Sequence, residues 1–255
     1  MDEVAAINVI ERPKLKDPIL IESLPGIGLV GKIAGDHMRD ELKMVKFAEL
    51  YSPFLPPQVT IQPDGTVRLP SMEFSYLKGK KDIVLLTGDF QGITPESQYR
   101  LSEKTLEFAK DIGVKKVYTL GGLETGSITS KPKVYGAATS KKLIEEHKGS
   151  GIVFKEGGAI FGASGLLLGI GMGQGVEAVC LMGETHGQII DAKSAEAVLK
   201  VLAKVLDIEI GMAALSEKSK ETERQMNQIR KMIAEQTRFE KSEEKFMSET
   251  PTYIR

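Results

Sequence analysis

The sequence predicts an α/β protein with a three-layer α/β/α sandwich, a mixed and largely parallel sheet, and a C-terminal helical extension. From residue 82 to residue 206, apolar strand-like runs alternate with amphipathic helical segments, a pattern typical of parallel sheets covered by helices. The first 80 residues contain several short strand-like runs, which are expected to add antiparallel strands. With 255 residues, 41% of them hydrophobic, the chain can form a sizeable core.

The first part of the chain is predicted to be rich in strands, because apolar runs are separated by turn residues. Pro56-Pro57 and Pro63-Asp64-Gly65 mark two of these turns. A helix over residues 33–42 follows a glycine-rich turn. The predicted strands cover residues 4–10, 19–24, 45–50, 59–62 and 67–77.

The second part alternates between the two periodicities. Helices are predicted over residues 96–112, 137–147, 164–170 and 194–206, with Ser194 as the N-cap of the last. The intervening strands cover residues 83–87, 116–120, 152–154 and 176–182. The single cysteine, Cys180, lies within the last of these strands, where a small core residue is expected.

Composition changes after Gly211, and three segments are expected: a domain over residues 1–211, a charged helix over 212–246 and a tail over 247–255. Residues 216–246 contain 8 Lys or Arg, 7 Asp or Glu, and no Gly or Pro. Two interpretations stay open for this helix, a solvated extension or a self-association seam. The seam would use Met212, Leu215, Met226, Ile229 and Ile233.

Charge and composition narrow the class of protein. The 34 Lys and Arg residues nearly balance the 35 Asp and Glu residues, so no broad surface for nucleic acid or membrane is expected. No apolar run reaches the length of a membrane span, and residues 1–3 lack the features of a signal peptide. A cytoplasmic protein without a disulfide framework is therefore expected.

The segment 24–32 fits two phosphate-binding patterns in part. Gly26, Gly28 and Gly31 spell G-x-G-x-x-G after a strand-like run, and the segment also matches the start of a P-loop. Ile33 occupies the place where a P-loop needs Ser or Thr to bind Mg²⁺, so the P-loop interpretation fails. Glu49 lies near the distance at which a dinucleotide fold uses an acidic residue. The alternative is a tight strand-to-helix turn that packs on the sheet.

Polar loops follow three predicted buried strands and contain Asp89, Glu124, Glu184 and His186. Since ligands of open α/β sheets bind at the carboxyl ends of strands, these side chains could converge on one crevice with the glycine turn. Such a set could support acid–base chemistry or hold a divalent ion. The alternative is that they cap helices and close turns. The chain contains no G-x-S-x-G elbow and no H-E-x-x-H pair.

Five segments in the same order resemble the archaeal proteasome assembly chaperone family: LPGIGLVGK (24–32), TGDFQ (87–91), GGLETG (121–126), GAIFGASGL (158–166) and GETHG (183–187). The resemblance implies a phosphorylase/hydrolase-like sandwich and a non-enzymatic homo-oligomer that assists assembly of proteasome α-subunits, with no cofactor or metal. Some relatives are labelled carboxylate-amine ligases of the ATP-grasp class, so a nucleotide-dependent enzyme that uses the glycine-rich crevice is the alternative.

The same resemblance gives the tail a role in binding. Members of the family often end in a hydrophobic-Tyr-any tripeptide that enters a pocket between adjacent α-subunits. This chain ends in Tyr253-Ile254-Arg255, with Tyr253 third from the end and Thr252 before it. The tyrosine is therefore displaced by one residue, about 3.3 Å of extended chain. These three residues are the predicted partner-binding site.

Overall fold

The computed structural model describes residues 5–127, 129–221 and 224. Nine strands of this part form one sheet in the order β1-β3-β6-β7-β2-β8-β11-β9-β10, and two more form a separate ribbon, β4-β5. The strands are β1 (Ala6–Val9), β2 (Ile19–Glu22), β3 (Val45–Tyr51), β4 (Thr60–Ile61), β5 (Val67–Arg68), β6 (Met72–Leu77), β7 (Ile83–Gly88), β8 (Lys116–Glu124), β9 (Val134–Ala138), β10 (Ile152–Phe154) and β11 (Glu177–Thr185). The helices are α1 (Val30–Glu41), α2 (Pro95–Asp111), α3 (Lys141–Glu146), α4 (Gly162–Gly173) and α5 (Ala192–Leu206).

The centre of the sheet is parallel and its flanks are mixed. Strands β7, β2, β8 and β11 run parallel to one another. On one side, β6, β3 and β1 continue the sheet by antiparallel pairing. On the other side, β9 is antiparallel to β11, and β10 is parallel to β9. The predicted mixed sheet with a parallel centre is confirmed.

Helices cover both faces of the sheet, and each face has its own core. Successive residues of a strand point to opposite faces, so Leu20 of β2 belongs to one core and Ile21 to the other. The first core includes Leu106 of α2 and Leu167 of α4. The second includes residues of α1, α3 and α5. The three-layer sandwich is therefore confirmed.

Three local predictions are wrong in detail. Residues 137–138 belong to strand β9, and the predicted helix begins only at α3, where the Ser140 side chain accepts a hydrogen bond from the N–H of Leu143 (3.3 Å). The predicted strand 67–77 is two strands, because Pro70 cannot donate to a ladder between them. Asp191, not Ser194, caps α5, and its carboxylate accepts the N–H of Ser194 at 2.9 Å.

The start of the predicted extension packs on the domain. Residues 213–221 are helical, and Leu215 is fully buried in the core formed with α1 and α5. The Ser216 hydroxyl donates to Glu196 of α5 at 2.6 Å. Leu215 therefore serves the core rather than an exposed seam. Met212 is partly buried against the same core. The seam positions Met226, Ile229 and Ile233, together with the tail over residues 247–255, lie outside the described residues.

Within the described part of the chain, no helix is both long and apolar enough to cross a membrane.

Candidate functional site

The glycine turn places α1 directly against the sheet. A Cβ atom built on Gly31 would lie 2.2 Å from the backbone oxygen of Leu120 in β8, so only glycine allows this approach. Gly28 adopts a φ of +63°, and its carbonyl accepts the N–H of Asp191 at 2.9 Å. The turn therefore allows α1 to pack closely on the sheet. This agrees with the alternative interpretation of the segment, a tight strand-to-helix turn.

A crevice of about 530 Å³ opens beside this turn, at the carboxyl ends of the parallel strands. We call it the sheet-end crevice. Of the predicted crevice residues, Gly26 and Glu124 line it. Most of its wall is apolar or glycine. The lining residues are Leu24, Gly26, Ile27, Gln91, Gln98, Leu120, Gly121, Gly122, Leu123, Glu124, Ala159, Ile160, Phe161, Gly162, Ser164 and Met182.

Gln91 joins the two sides of the sheet-end crevice. Its side-chain N–H donates to the carbonyl of Pro25 in the glycine turn, and its side-chain oxygen accepts the N–H of Ala163 in the first turn of α4 (3.0 Å). Gln98 donates a further hydrogen bond to the same oxygen at 3.1 Å. The crevice wall is therefore fixed by side-chain hydrogen bonds between separate elements.

Asp89 is engaged in an ion pair outside the crevice lining. Both of its carboxylate oxygens accept from the Arg68 guanidinium, at 2.5 Å and 2.8 Å. This hydrogen-bonded pairing, opposed in part by burial, lowers the pKa of Asp89 below its usual value. Asp89 is consequently a poor candidate for a general acid and has a structural partner instead.

Glu184 and His186 are not among the crevice lining residues. The Glu184 carboxylate accepts the N–H of Lys133 at 3.2 Å. The Nδ1 atom of His186 is buried without a hydrogen-bond partner among the described residues. Glu124 packs against Gly187, where an added Cβ atom would lie 2.6 Å from the carboxyl carbon. Asp89 thus lies apart with Arg68, whereas Glu124, Glu184 and His186 lie at the ends of the neighbouring strands β8 and β11. A ligand role for the crevice stays a prediction.

Glu22, a buried carboxyl beneath the crevice, is not among the residues that the sequence pattern predicts for the site. Glu22 ends β2, is fully buried, accepts the N–H of Leu24 at 2.9 Å, and accepts the hydroxyl of Ser164 at 2.8 Å. Burial raises its pKa to about 7, against the lowering effect of both hydrogen bonds. The sequence feature that indicates this site is a single charged residue, Glu22, directly after the apolar run Ile19-Leu20-Ile21.

Cys180, His147 and His37 take structural roles. Burial raises the pKa of the Cys180 thiol to about 12, which leaves it unreactive, as expected of a core residue. His147 contacts the hydroxyl of Tyr118 at 2.9 Å, and His37 contacts the carbonyl of Gly211 at 2.6 Å. Among the described residues, no three His, Cys, Asp or Glu side chains lie close enough together to hold a metal ion.

The sequence profile of the PAC2 family matches residues 20–230, which include the sheet from β2 onward except Ile19, the sheet-end crevice and the start of the extension. The chain belongs to the PAC2 family. The resemblance derived from the five glycine-rich segments is thereby confirmed. The matched PAC2 range ends before Tyr253.

Two solved structures are similar to nearly the whole chain. PbaB of Pyrococcus furiosus, described as an archaeal proteasome activator, is 42% identical with a TM-score of 0.85, and the match covers 89% of this chain and 98% of PbaB. PbaA of the same organism, described as an archaeal homolog of proteasome-assembly chaperone, is 27% identical with a TM-score of 0.75, covering 94% and 98% of the two chains.

A relative from Methanocaldococcus jannaschii, Uncharacterized protein MJ1210, is 40% identical over 222 residues, which are 87% of this chain and 86% of that protein. The similarity to these proteins therefore extends over most of the chain rather than over one motif.

Proposed function

We propose that this protein is a non-enzymatic, cytoplasmic homo-oligomer that binds α-subunits of the proteasome core particle and assists their assembly. The observation that carries the proposed proteasome partner is the 42% identity and the TM-score of 0.85, across 89% of the chain, to PbaB, which is described as a proteasome activator. PbaA, a homolog of a proteasome-assembly chaperone by its description, supports the assembly role.

The surroundings of the acidic residues support a binding protein over an enzyme. Asp89 is neutralised by Arg68, Glu22 is enclosed in the core, and the Glu184 carboxylate accepts a backbone N–H. General acid–base catalysis needs two groups that reach one reacting atom. These three carboxyls each have a structural partner of their own.

The tail supplies the proposed contact with α-subunits. Tyr253 and Ile254 follow a segment rich in Lys and Glu, and an aromatic and an aliphatic side chain gain free energy when they enter an apolar pocket. If several copies associate, several tails bind together, and the effective concentration of each weak tail rises. The expected consequence is tight binding of an oligomer whose individual tails bind weakly.

The proposal is tested by binding to immobilised proteasome core particles. The full chain is compared with a chain that lacks residues 251–255 and with the variant Tyr253→Ala. Thr250→Ala is the matched control, because it alters the same segment without removing an apolar side chain. We expect the control to bind as the unaltered chain does, and both tail variants to bind at least tenfold more weakly.

A second function, activation of the assembled proteasome, is favoured by the description of PbaB as an activator. Two assays separate the two roles. An activator raises peptide hydrolysis by preformed core particles, whereas an assembly chaperone raises the yield of core particles from free subunits and leaves preformed particles unchanged. The proposed assembly role predicts the second result.

The sheet-end crevice keeps a small-molecule alternative open, including the nucleotide-dependent ligase. Its volume of about 530 Å³ and mainly apolar lining lie within the range of ligand pockets. This alternative predicts a measurable heat on titration with a nucleotide.

A further inference from the structure

The ribbon β4-β5 has its apolar face turned outward. Ile61 and Val67 are cross-strand partners. Val59 directly precedes β4 and Leu69 directly follows β5, and the period of two, continued by one residue beyond each strand, puts them on the same face. These four side chains, which we call the ridge, are 51%, 72%, 61% and 59% exposed in chain order. The opposite face carries Thr60 and Arg68, both partly buried.

This arrangement is the reverse of an ordinary solvent-facing hairpin. In a surface ribbon, polar side chains face water and apolar ones face the protein. Here the polar Arg68 faces inward and pairs with Asp89, which holds the ribbon in place. Contiguous apolar side chains held in solvent by a rigid support indicate an interaction surface.

An apolar groove of about 810 Å³ adjoins the ridge and shares Val59 and Leu69 with it. Its other walls include Ala6, Tyr51, Leu55, Pro56, Pro57 and Pro70, and every residue that lines it is uncharged. A protruding apolar ridge therefore lies directly beside an apolar recess on the same surface.

We infer that the ridge and groove form the self-association face, on which a second copy of this chain binds about a two-fold axis. A two-fold contact joins identical patches, so the patch must be complementary to itself. A ridge beside a groove meets this condition, because each copy inserts its ridge into the groove of the other. The uncharged groove also avoids the like-charge repulsion that identical charged patches would suffer.

This inference rests on the homo-oligomer in the proposed function and names the face that forms it. Sedimentation equilibrium of the full chain measures the association, with the double variant Ile61→Glu and Val67→Glu and the control Met172→Glu. Met172 lies on α4 and is 59% exposed. We expect the double variant to associate at least tenfold more weakly, while the control matches the unaltered chain. Circular dichroism checks that all variants fold.

Cross-linking tests the geometry directly. A chain with Ile61→Cys is mixed with a tagged chain with Gln58→Cys, which places one thiol on the ridge and one in the groove. The native Cys180 is buried and does not interfere. We expect a disulfide between the two chains, and less of it when Met172→Cys replaces Ile61→Cys.

The inference is overturned if the unaltered chain sediments as a monomer, if the double variant keeps the unaltered mass, or if no ridge-to-groove disulfide forms. If the chain is a monomer that still binds core particles, the inferred self-association face is wrong and the proposed proteasome binding stands. If the chain associates through the ridge but does not bind core particles, the proposed proteasome binding is wrong and the inferred self-association face stands.

Discussion

Arg68 and Asp89 form a two-point ion pair in which the guanidinium Nη1 and Nη2 atoms lie 2.5 Å and 2.8 Å from the two carboxylate oxygens. Arg68 belongs to β5, and Asp89 directly follows β7, so the pair ties the small ribbon to the central sheet. A two-stranded ribbon alone is marginally stable in water. The pair therefore gives Asp89, a candidate for acid–base chemistry in the sequence, a role in holding the ribbon.

Replacing Asp89 with Asn should loosen the ribbon and leave the core folded. Because the pair is partly exposed, we expect a loss of about 1 kcal/mol in the free energy of unfolding. Hydrogen exchange of the ribbon amides should become faster, while that of β7 stays slow. Glu107→Gln, which removes an exposed ion pair with Lys104 on α2, is the control and should change neither quantity.

The difference in folding stability between the unaltered chain and Asp89→Asn should depend on pH. Pairing with Arg68 lowers the pKa of Asp89 in the folded state, so the pair stabilises the fold above the ordinary pKa. This contribution is lost as the pH falls through the lowered pKa. The unaltered chain and Asp89→Asn should converge in stability at low pH, and a constant difference would contradict the ion-pair explanation.

The contribution of Glu22 to folding stability should have the opposite pH dependence. Burial raises its pKa from 4.5 to about 7, so the protonated carboxyl suits the fold, and its stabilising contribution is lost as the pH rises from 4.5 through about 7. That interval corresponds to about 3 kcal/mol in the free energy of unfolding. Glu22→Gln, which stays neutral, should be more stable than the unaltered chain at pH 8.

Urea unfolding at pH 5 and pH 8 measures this effect for both proteins. The fall in stability between the two pH values should be smaller for Glu22→Gln than for the unaltered chain. An equal fall in both would show that the Glu22 carboxyl does not titrate in this interval.

Gly31 should be intolerant of any side chain. Alanine there would bring Cβ to 2.2 Å from the Leu120 oxygen, and the forced shift of α1 should cost about 1–3 kcal/mol. Gly173 is the matched control, because it also lies in a helix but has no atom within 4 Å of an added Cβ. Urea unfolding should show destabilisation only for Gly31→Ala. Equal stability of the two variants would contradict the packing role of the turn.

The nucleotide alternative is best tested at Gly26. Valine at Gly28 would confuse ligand loss with strain, because that residue has a φ of +63° and faces Thr185. Alanine at Gly26 instead projects toward the crevice, and its nearest atom is Gln91 Nε2 at 3.6 Å. We expect titration calorimetry with millimolar Mg-ATP to give no binding heat. Binding that Gly26→Ala removes would favour the ligase.

The sandwich could be predicted from the sequence because its central strands and helices have strong local patterns. Strand β9 could not, since Gly136, Ala137 and Ala138 carry no strand preference and tertiary pairing with β11 decides their conformation. Ser194 looked like an N-cap, but Asp191 lies three residues earlier and its carboxylate reaches the N–H of Ser194. The first error comes from a tertiary neighbour that the local pattern does not contain, whereas the second comes from choosing between two N-cap residue types three positions apart.

The candidate site was less predictable than the fold. The sequence indicated that the glycine turn and Glu124 lie near one sheet edge, and Gly26 and Glu124 line the crevice, whereas Gly28 and Gly31 do not. It could not show that Asp89 pairs with Arg68, 21 residues earlier, or that Glu22 meets Ser164, 142 residues later. Such contacts depend on the order of strands in the sheet, which the local pattern leaves open.

The most direct test of the proposed function is the affinity of the full chain for immobilised proteasome core particles, measured beside Tyr253→Ala and Thr250→Ala. The proposal predicts binding by the full chain, unchanged binding by Thr250→Ala, and at least tenfold weaker binding by Tyr253→Ala. Equal binding by all three would remove the tail from the mechanism, and no binding by the full chain would contradict the proteasome-binding function itself.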